Sequence, residues 1–334
     1  MITLIKGLFI MNKEPFDLVY PEEVRKEIES LADIYAKQMT TKVIQKDLSI
    51  LEDVEVIFSG WGGPQLNRTL LDAAPNLKAF FYAAGSLKNI VTEESWNRDI
   101  LITNAVKANA IPVAEFTLSQ ILFCLKNGWE FSRKFRNTRQ YPTKPFDVPG
   151  AYKSTVGIIS LSTVGRLVCE LLKPFDIKVI AYDPFVKEEE ANRLGVELCS
   201  LEEIFINANI VSLHTPLLDE TNGMIGKEHF TKMLPNSSFI NTARGAIVRE
   251  SEMIGVLRSR SDITAILDVT FPEPPNQDSP LFSFENVILT PHLAGSEGKE
   301  CGRMGFYMLE EFKRYLNGDS LKWLINKKDF SMLA

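Results

Sequence analysis

Histidine is scarce in this chain, with three in 334 residues, and none stands at ligand spacing from a cysteine. The four cysteines, Cys124, Cys169, Cys199 and Cys301, are scattered and form no C-x-x-C pair. Neither a zinc site nor a disulfide framework is suggested, and the cysteines read as reduced residues of cores or helices. Positive charge is also short: 37 Lys and Arg against 43 Asp and Glu leave a net charge of -6. Nucleic acid and anionic membranes would be repelled on average, so neither is expected as a partner. The local exception is Arg133, Lys134, Arg136, Arg139 and Lys144, which read as a solvated or subunit-contacting arm. No run approaches the ~18 uninterrupted apolar residues of a membrane helix. The opening MITLIKGLFIM, interrupted by Lys6, lacks a basic leader and a small-residue cleavage site, so it reads as a strand. A cytoplasmic protein is the expectation.

One further absence is local. TVGIISLSTVGR, residues 155 to 166, has the outline of a dinucleotide-binding turn, but Ser160 and Ser162 stand where G-x-G-x-x-G places its first two glycines. Only Gly165 remains.

What is present is a rhythm. From Ser154 onward, β-branched runs alternate with helix-period segments: TVGIISL, KVIAYD, NIVSLH, SFINTA, ITAILDV and NVILT are the strands. Apolar rather than alternating runs predict strands covered on both faces of a parallel, doubly wound sheet. The first hundred residues show a weaker series (ITLIKGLFI, VEVIFSG, LKAFFYAAG, ILITNA), with a helix over PEEVRKEIESLADI, which predicts a smaller α/β domain. Two long helices are expected, at residues 109 to 127 and 296 to 317.

In open α/β sheets ligands sit at the carboxyl ends of the strands. There, this sequence delivers the Ser160/Ser162/Gly165 turn, whose helix start offers free amides to a pyrophosphate, and then Asp183, 18 residues after Gly165. A carboxylate there suits ribose hydroxyls and repels a 2′-phosphate, favouring NAD over NADP. Later strands end at His214, Thr215 and Pro216; at Thr242, Ala243 and Arg244; at Asp268, followed by a loop carrying Glu273; and at Thr290, Pro291 and His292. Alone, Arg244 reads as a surface ion-pair residue, Glu273 as a solvated loop acid, His292 as a satisfied structural group and Asp183 as a cap or turn residue. Together they make a reaction centre for reducing a carbonyl or the reverse. Arg244 clamps a carboxylate or polarises the carbonyl, and His292 exchanges the proton. Glu273 fixes the imidazole tautomer and favours its charged form.

TPLLDETNGMIGKEHFTKMLPNSSFINTARGAIV, AILDVTFPEPPNQDSPL and NVILTPHLAGS resemble the D-isomer-specific 2-hydroxyacid dehydrogenases, among them phosphoglycerate dehydrogenases and glyoxylate/hydroxypyruvate reductases. The resemblance implies a Rossmann-type domain at 109–299 and a flavodoxin-like α/β substrate domain at 1–108 completed by 300–334. It puts the family's catalytic arginine, glutamate and histidine on Arg244, Glu273 and His292. Substrate contacts fall on Ala84, Gly85 and Ser86 with Arg244 and His292. Contacts to NAD fall on Ser162, Thr163, Val164, Gly165, Asp183, His214, Thr215, Pro216, Thr221, Thr242, Ala243, Asp268 and Gly295, with the Asp268 carboxylate on the nicotinamide amide. It also implies a homodimer built through the long interdomain helix and the arm after it. Departures are the two serines of the turn, Thr270 in place of a phenylalanine, and Arg249–Glu250 after Val248, read as helix capping only. The expected activity is NAD-dependent interconversion of a 2-oxo acid and a D-2-hydroxy acid. The rival reading is a dinucleotide-sensing, corepressor-like interaction protein with little turnover. A formate-dehydrogenase-like enzyme is disfavoured by Glu273, where that family carries glutamine.

Overall fold

A computed structural model describes residues 4–144 and 148–330. The predicted strand over ITLIKGLFI begins before the first of these, and the arm's end at Pro145 also lies outside the described residues. The chain divides into two compact units, 1–109 with 296–334, and 110–295. The second crossing closes on the first within one unit, since the Ser296 amide donates to Asn109 Oδ1 at 2.9 Å.

The discontinuous unit holds a six-stranded sheet in the order β13-β5-β4-β3-β1-β2. Its strands are β1 (Ile5–Ile10), β2 (Ala32–Ile34), β3 (Val56–Ser59), β4 (Ala79–Tyr82), β5 (Leu101–Asn104) and β13 (Leu324–Ile325). Side chains alternate across it as the pleat demands. Leu8, Ile57 and Phe80 pack on one face, and Phe9, Phe58 and Phe81 on the other. The second face is closed by helix Cys301–Asn317, whose Phe312 meets the Phe58 ring edge-on at 5.0 Å. Burial of such a ring contributes roughly 1.5–3 kcal/mol.

The helix predicted over PEEVRKEIESLADI stops at Leu31. Ala32–Ile34 instead pair in parallel with Ile5, Lys6 and Gly7 of β1. An unpaired edge of β1 needs a partner, and that tertiary demand overrides three residues of helical preference.

The continuous unit is a seven-stranded sheet in the order β12-β11-β10-β9-β6-β7-β8, every described pairing parallel. Here β6 is Thr155–Ile159, β7 Lys178–Tyr182, β8 Glu197–Leu198, β9 Ile210–Leu213, β10 Ser238–Asn241, β11 Thr264–Leu267 and β12 Val287–Leu289. Two apolar layers cover it, one around Val211, Phe239 and Ala265, the other around Ile158, Ile210 and Ile240. The order makes β10, β11 and β12 neighbours, so the loops after them leave one stretch of sheet edge.

Helix Val106–Cys124 contributes Ala114, Ile121 and Cys124 to the second layer. The basic arm begins as a helix, Gly128–Thr138, without a buried residue. Among the described residues no single helix is long and apolar enough to cross a membrane. All four cysteines are free, and burial pushes their thiols up, Cys124 to about 11 and Cys169 to about 12.

Candidate active site

The turn after β6 has serines at 160 and 162 and a glycine at 165. Ser160 adopts the left-handed region, φ +76°, where an L side chain is strained and glycine is not. Ser162 is different: at φ -62° it needs no glycine, and its hydroxyl caps helix Thr163–Leu172 by accepting from the Gly165 amide at 3.4 Å. Gly165 is obligatory on packing grounds, because a Cβ there would lie 2.1 Å from the Ser160 carbonyl oxygen. The strand-to-helix entry is therefore tight at Gly165. The free amides at the helix start remain, as an anion site requires.

Asp183, just past β7, closes on this turn. Its Oδ2 accepts from the Leu161 amide at 2.8 Å and the Ser160 hydroxyl at 3.3 Å, and its Oδ1 from the Phe185 amide at 2.9 Å. A carboxylate offers about four lone-pair positions, so one stays open for a ribose hydroxyl. The expected grip on both ribose hydroxyls is reduced by these local bonds.

The remaining predicted cofactor residues divide by what their side chains do. His214 is buried, with Nε2 paired to the Ser212 hydroxyl at 2.9 Å, and burial lowers its pKa to about 3. Only its carbonyl serves the turn, accepting from Ser162 Oγ at 2.8 Å. The Thr215 hydroxyl returns to the Ile159 carbonyl, and Thr221 ties off the loop through the Pro216 carbonyl at 2.6 Å. The Thr242 hydroxyl pairs with Thr117 at 3.2 Å. Thr163, Val164, Ala243 and Gly295 are partly exposed in this same unit. Ala84, Gly85 and Ser86 follow β4 in the other unit, with open space where a Gly85 Cβ would be.

At the ends of β10, β11 and β12 stand the three reactive candidates. Nδ1 of His292 meets Oε1 of Glu273 at 2.5 Å, and Nε2 has no partner among the described residues. His292 itself sits at φ +54°. Asp268 holds it there: the His292 amide donates to the Asp268 carbonyl at 2.9 Å, while the Asp268 carboxylate accepts from Thr290 Oγ1 at 2.6 Å, Leu293 at 2.9 Å and Ala294 at 3.0 Å. Asp268 is only 2% exposed, and its carboxylate shapes the histidine loop through these three bonds. The Arg244 side chain makes one hydrogen bond, Nη1 to the Ala243 carbonyl at 2.6 Å, and no ion pair among the described residues. Burial lowers its pKa, against which Glu273 acts electrostatically. Most of its planar fork is left for a ligand. A cavity of about 530 Å³ adjoins the pair, with Pro274, Pro275, Phe282 and Leu289 among its walls.

Three contributors escaped the sequence reading. Gly245 lets the loop after β11 lie against the backbone beside Arg244, since a Cβ there would be 2.0 Å from the Thr270 carbonyl. Glu250 does not merely cap a helix. Its Oε2 accepts from the Phe271 amide at 2.9 Å, and burial raises its pKa. Arg249 stands at the N-cap position of helix Glu250–Ser259 without a side-chain cap bond, and its guanidinium reaches the Gly223 carbonyl, Glu228 and Glu252 instead. A glycine directly after a strand-end arginine was the one available signal, since it marks close backbone approach.

A doubly wound sheet with an anion-ready first turn and an acid–imidazole pair at its carboxyl edge defines a dinucleotide-dependent oxidoreductase architecture. The chain belongs to the D-isomer specific 2-hydroxyacid dehydrogenases: the family described as "D-isomer specific 2-hydroxyacid dehydrogenase, NAD binding domain" matches residues 118–294. Similar proteins include a D-3-phosphoglycerate dehydrogenase of Methanocaldococcus jannaschii, 29% identical over 91% of this chain and 57% of that protein. Another, of Mycobacterium leprae, is 33% identical over 77% of this chain and 48% of the relative. The chain thus spans about half the length of the curated relatives it matches. Among solved structures, a D-isomer specific 2-hydroxyacid dehydrogenase of Lactobacillus delbrueckii in its NAD-complexed form shares the fold at TM-score 0.78. It is 23% identical over 96% of this chain and all of that one. A phosphoglycerate oxidoreductase of Rhizobium etli does so at TM-score 0.79 and 20% identity, over 97% of this chain and 99% of that one.

Proposed function

We propose that this chain is an NAD(H)-dependent D-2-hydroxyacid dehydrogenase that interconverts a 2-oxo acid and a D-2-hydroxy acid, working as a reductase. The observation that carries the reading is the His292–Glu273 hydrogen bond, with the Nε2 of His292 free, on the sheet edge that also bears Arg244. Bound at the Ser160–Gly165 turn, NADH supplies the hydride. The chain's own groups handle charge and the proton. Glu273 accepts a hydrogen bond from Nδ1–H and fixes the imidazole, so Nε2 is the atom that gives a proton to the nascent alkoxide, or takes one from the hydroxyl in reverse. Arg244, with donors to spare, clamps the substrate carboxylate and polarises the adjacent carbonyl. Ala84, Gly85 and Ser86, just after β4, are the substrate-contacting candidates of the discontinuous unit, which is read as the substrate domain.

Two companion assignments go with this. The helix Gly128–Thr138 and its surroundings expose Phe123, Phe135, Tyr141 and Tyr152, an apolar strip that supports a homodimer. A cytoplasmic setting goes with the reading, and three of the four free thiols, Cys124, Cys169 and Cys301, are buried.

The test is an absorbance assay with NADH and a panel of 2-oxo acids: glyoxylate, hydroxypyruvate, pyruvate, phenylpyruvate, 2-oxoglutarate and phosphohydroxypyruvate. Turnover of at least one is expected. NADH binding without turnover on any would instead favour the dinucleotide-sensing interaction protein, for which no observation of this structure speaks separately.

A further inference from the structure

The His292 and Glu273 side chains are 47% and 39% exposed, so close packing does not hold the pair together. The loop that carries Glu273 must do so. That loop leaves β11 at Asp268, passes the Gly245 backbone at Thr270, and is then fastened by one side chain from outside it: Glu250, whose Oε2 accepts from the Phe271 amide at 2.9 Å. Glu250 opens helix Glu250–Ser259, where a carboxylate ordinarily faces solvent or the helix's own free amides. Here its single hydrogen bond among the described residues goes 21 residues along the chain instead.

We propose that Glu250 is a positioning residue for the reaction: by holding the Phe271 amide it sets the place of Glu273, and through Glu273 the orientation of His292. The inference rests on the reading of His292 and Glu273 given above. The link is short and stiff. Only Pro272, with its fixed φ, separates Phe271 from Glu273, and the Pro272 carbonyl is tied by Thr270 Oγ1 at 2.8 Å. A shift at Phe271 is therefore passed on to Glu273 rather than absorbed. Of the other charged groups, Asp268 holds the His292 backbone, and Arg244 interacts with Glu273 electrostatically, with no hydrogen bond to it among the described residues.

The test compares Glu250→Ala and Glu250→Gln in the full chain, with thermal unfolding and NADH binding as controls. Glu250→Gln keeps a carbonyl that can accept the same bond. Loss of the clamp is expected to lower kcat roughly 10-fold while NADH affinity changes less than about twofold, and Glu250→Gln to restore most of the rate. In a Glu273→Ala background, which removes the acceptor for His292 Nδ1, Glu250→Ala should cost nothing further, because its route is already cut. The ¹⁵N imidazole spectrum of the unliganded protein gives a readout independent of turnover: the His292 Nδ1 signal should move in Glu250→Ala and not in Glu250→Gln. If Glu250→Ala does not fold, Glu250→Asp withdraws the acceptor by one methylene and takes its place. Additive losses with Glu273→Ala, equal damage from Ala and Gln at position 250, or an unmoved Nδ1 signal would each overturn the proposal. A wild-type protein that reduces no 2-oxo acid would overturn the functional reading, while the spectrum still decides the role of Glu250.

Discussion

Ser160 and His292 share an uncommon backbone, at φ +76° and +54°, and each stands at a strand end where chemistry is assigned. A non-glycine residue in that region costs of order 1–3 kcal/mol and persists only where its surroundings hold it. Ser160 is held by its amide to the Tyr182 carbonyl at 2.8 Å and by Asp183. Ser160→Gly should therefore raise stability by up to about 1 kcal/mol, read by denaturant unfolding, with NADH affinity nearly unchanged. A destabilised variant would show that the hydroxyl to Asp183 outweighs the strain. His292→Ala should lower reduction roughly 10³-fold and leave NADH binding intact; full turnover would remove the acid/base assignment. Asp183→Ala should weaken NADH more than NADPH, because an acceptor for ribose and a repulsion toward a 2′-phosphate both go. Some loss for each cofactor is expected too, since the Leu161 amide loses its partner. A wild type that already prefers NADPH would contradict the role given to Asp183.

Elements, rather than residues, explain which features could be read in advance. The runs TVGIISL, KVIAYD, NIVSLH, SFINTA, ITAILDV and NVILT correspond to β6, β7, β9, β10, β11 and β12, because a strand covered on both faces must be continuously apolar. Strands β8 and β13 went unread, since two residues carry no period. The Ala32–Ile34 strand was hidden by helix-forming neighbours, and its only cause is the edge of β1. At the site, residue types and strand ends were legible: Arg244, Glu273 and His292 arrive on neighbouring strands. What Asp268 and Glu250 do was not, because their partners lie 22 to 26 and 21 residues away. The turn shows the limit most clearly. Its two serines look alike in sequence, yet Ser160 takes the left-handed region and Ser162 does not, and Gly165 packs against the Ser160 carbonyl. Gly165→Ala should accordingly cost about 1–3 kcal/mol by overpacking and weaken NADH, measured by unfolding and by binding; a neutral outcome would mean that the Ser160 carbonyl can retreat.

At the scale of the whole chain, the division at Asn109 and Ser296 lets each unit carry its own core, so stability must be followed unit by unit rather than as one transition. His214 offers a handle on the continuous unit. Its folded-state pKa of about 3 lies below the ordinary 6.5. Between those values the unfolded chain binds a proton that the folded chain does not, so stability falls as pH drops through this window and is fully present above it. One proton corresponds to about 1.4 kcal/mol per pH unit, so from pH 7 to pH 5 the buried imidazole should remove about 2 kcal/mol. His229, also lowered by burial, and several paired carboxylates contribute to acid lability in the same direction. The comparison that isolates His214 is therefore a difference. His214→Gln should be less stable than wild type at pH 7, through altered packing around Ser212, but should lose about 2 kcal/mol less on going to pH 5. Denaturant unfolding at both pH values, followed by a probe in residues 110–295, measures this. Parallel losses in the two proteins would mean that His214 becomes protonated without unfolding the sheet around it.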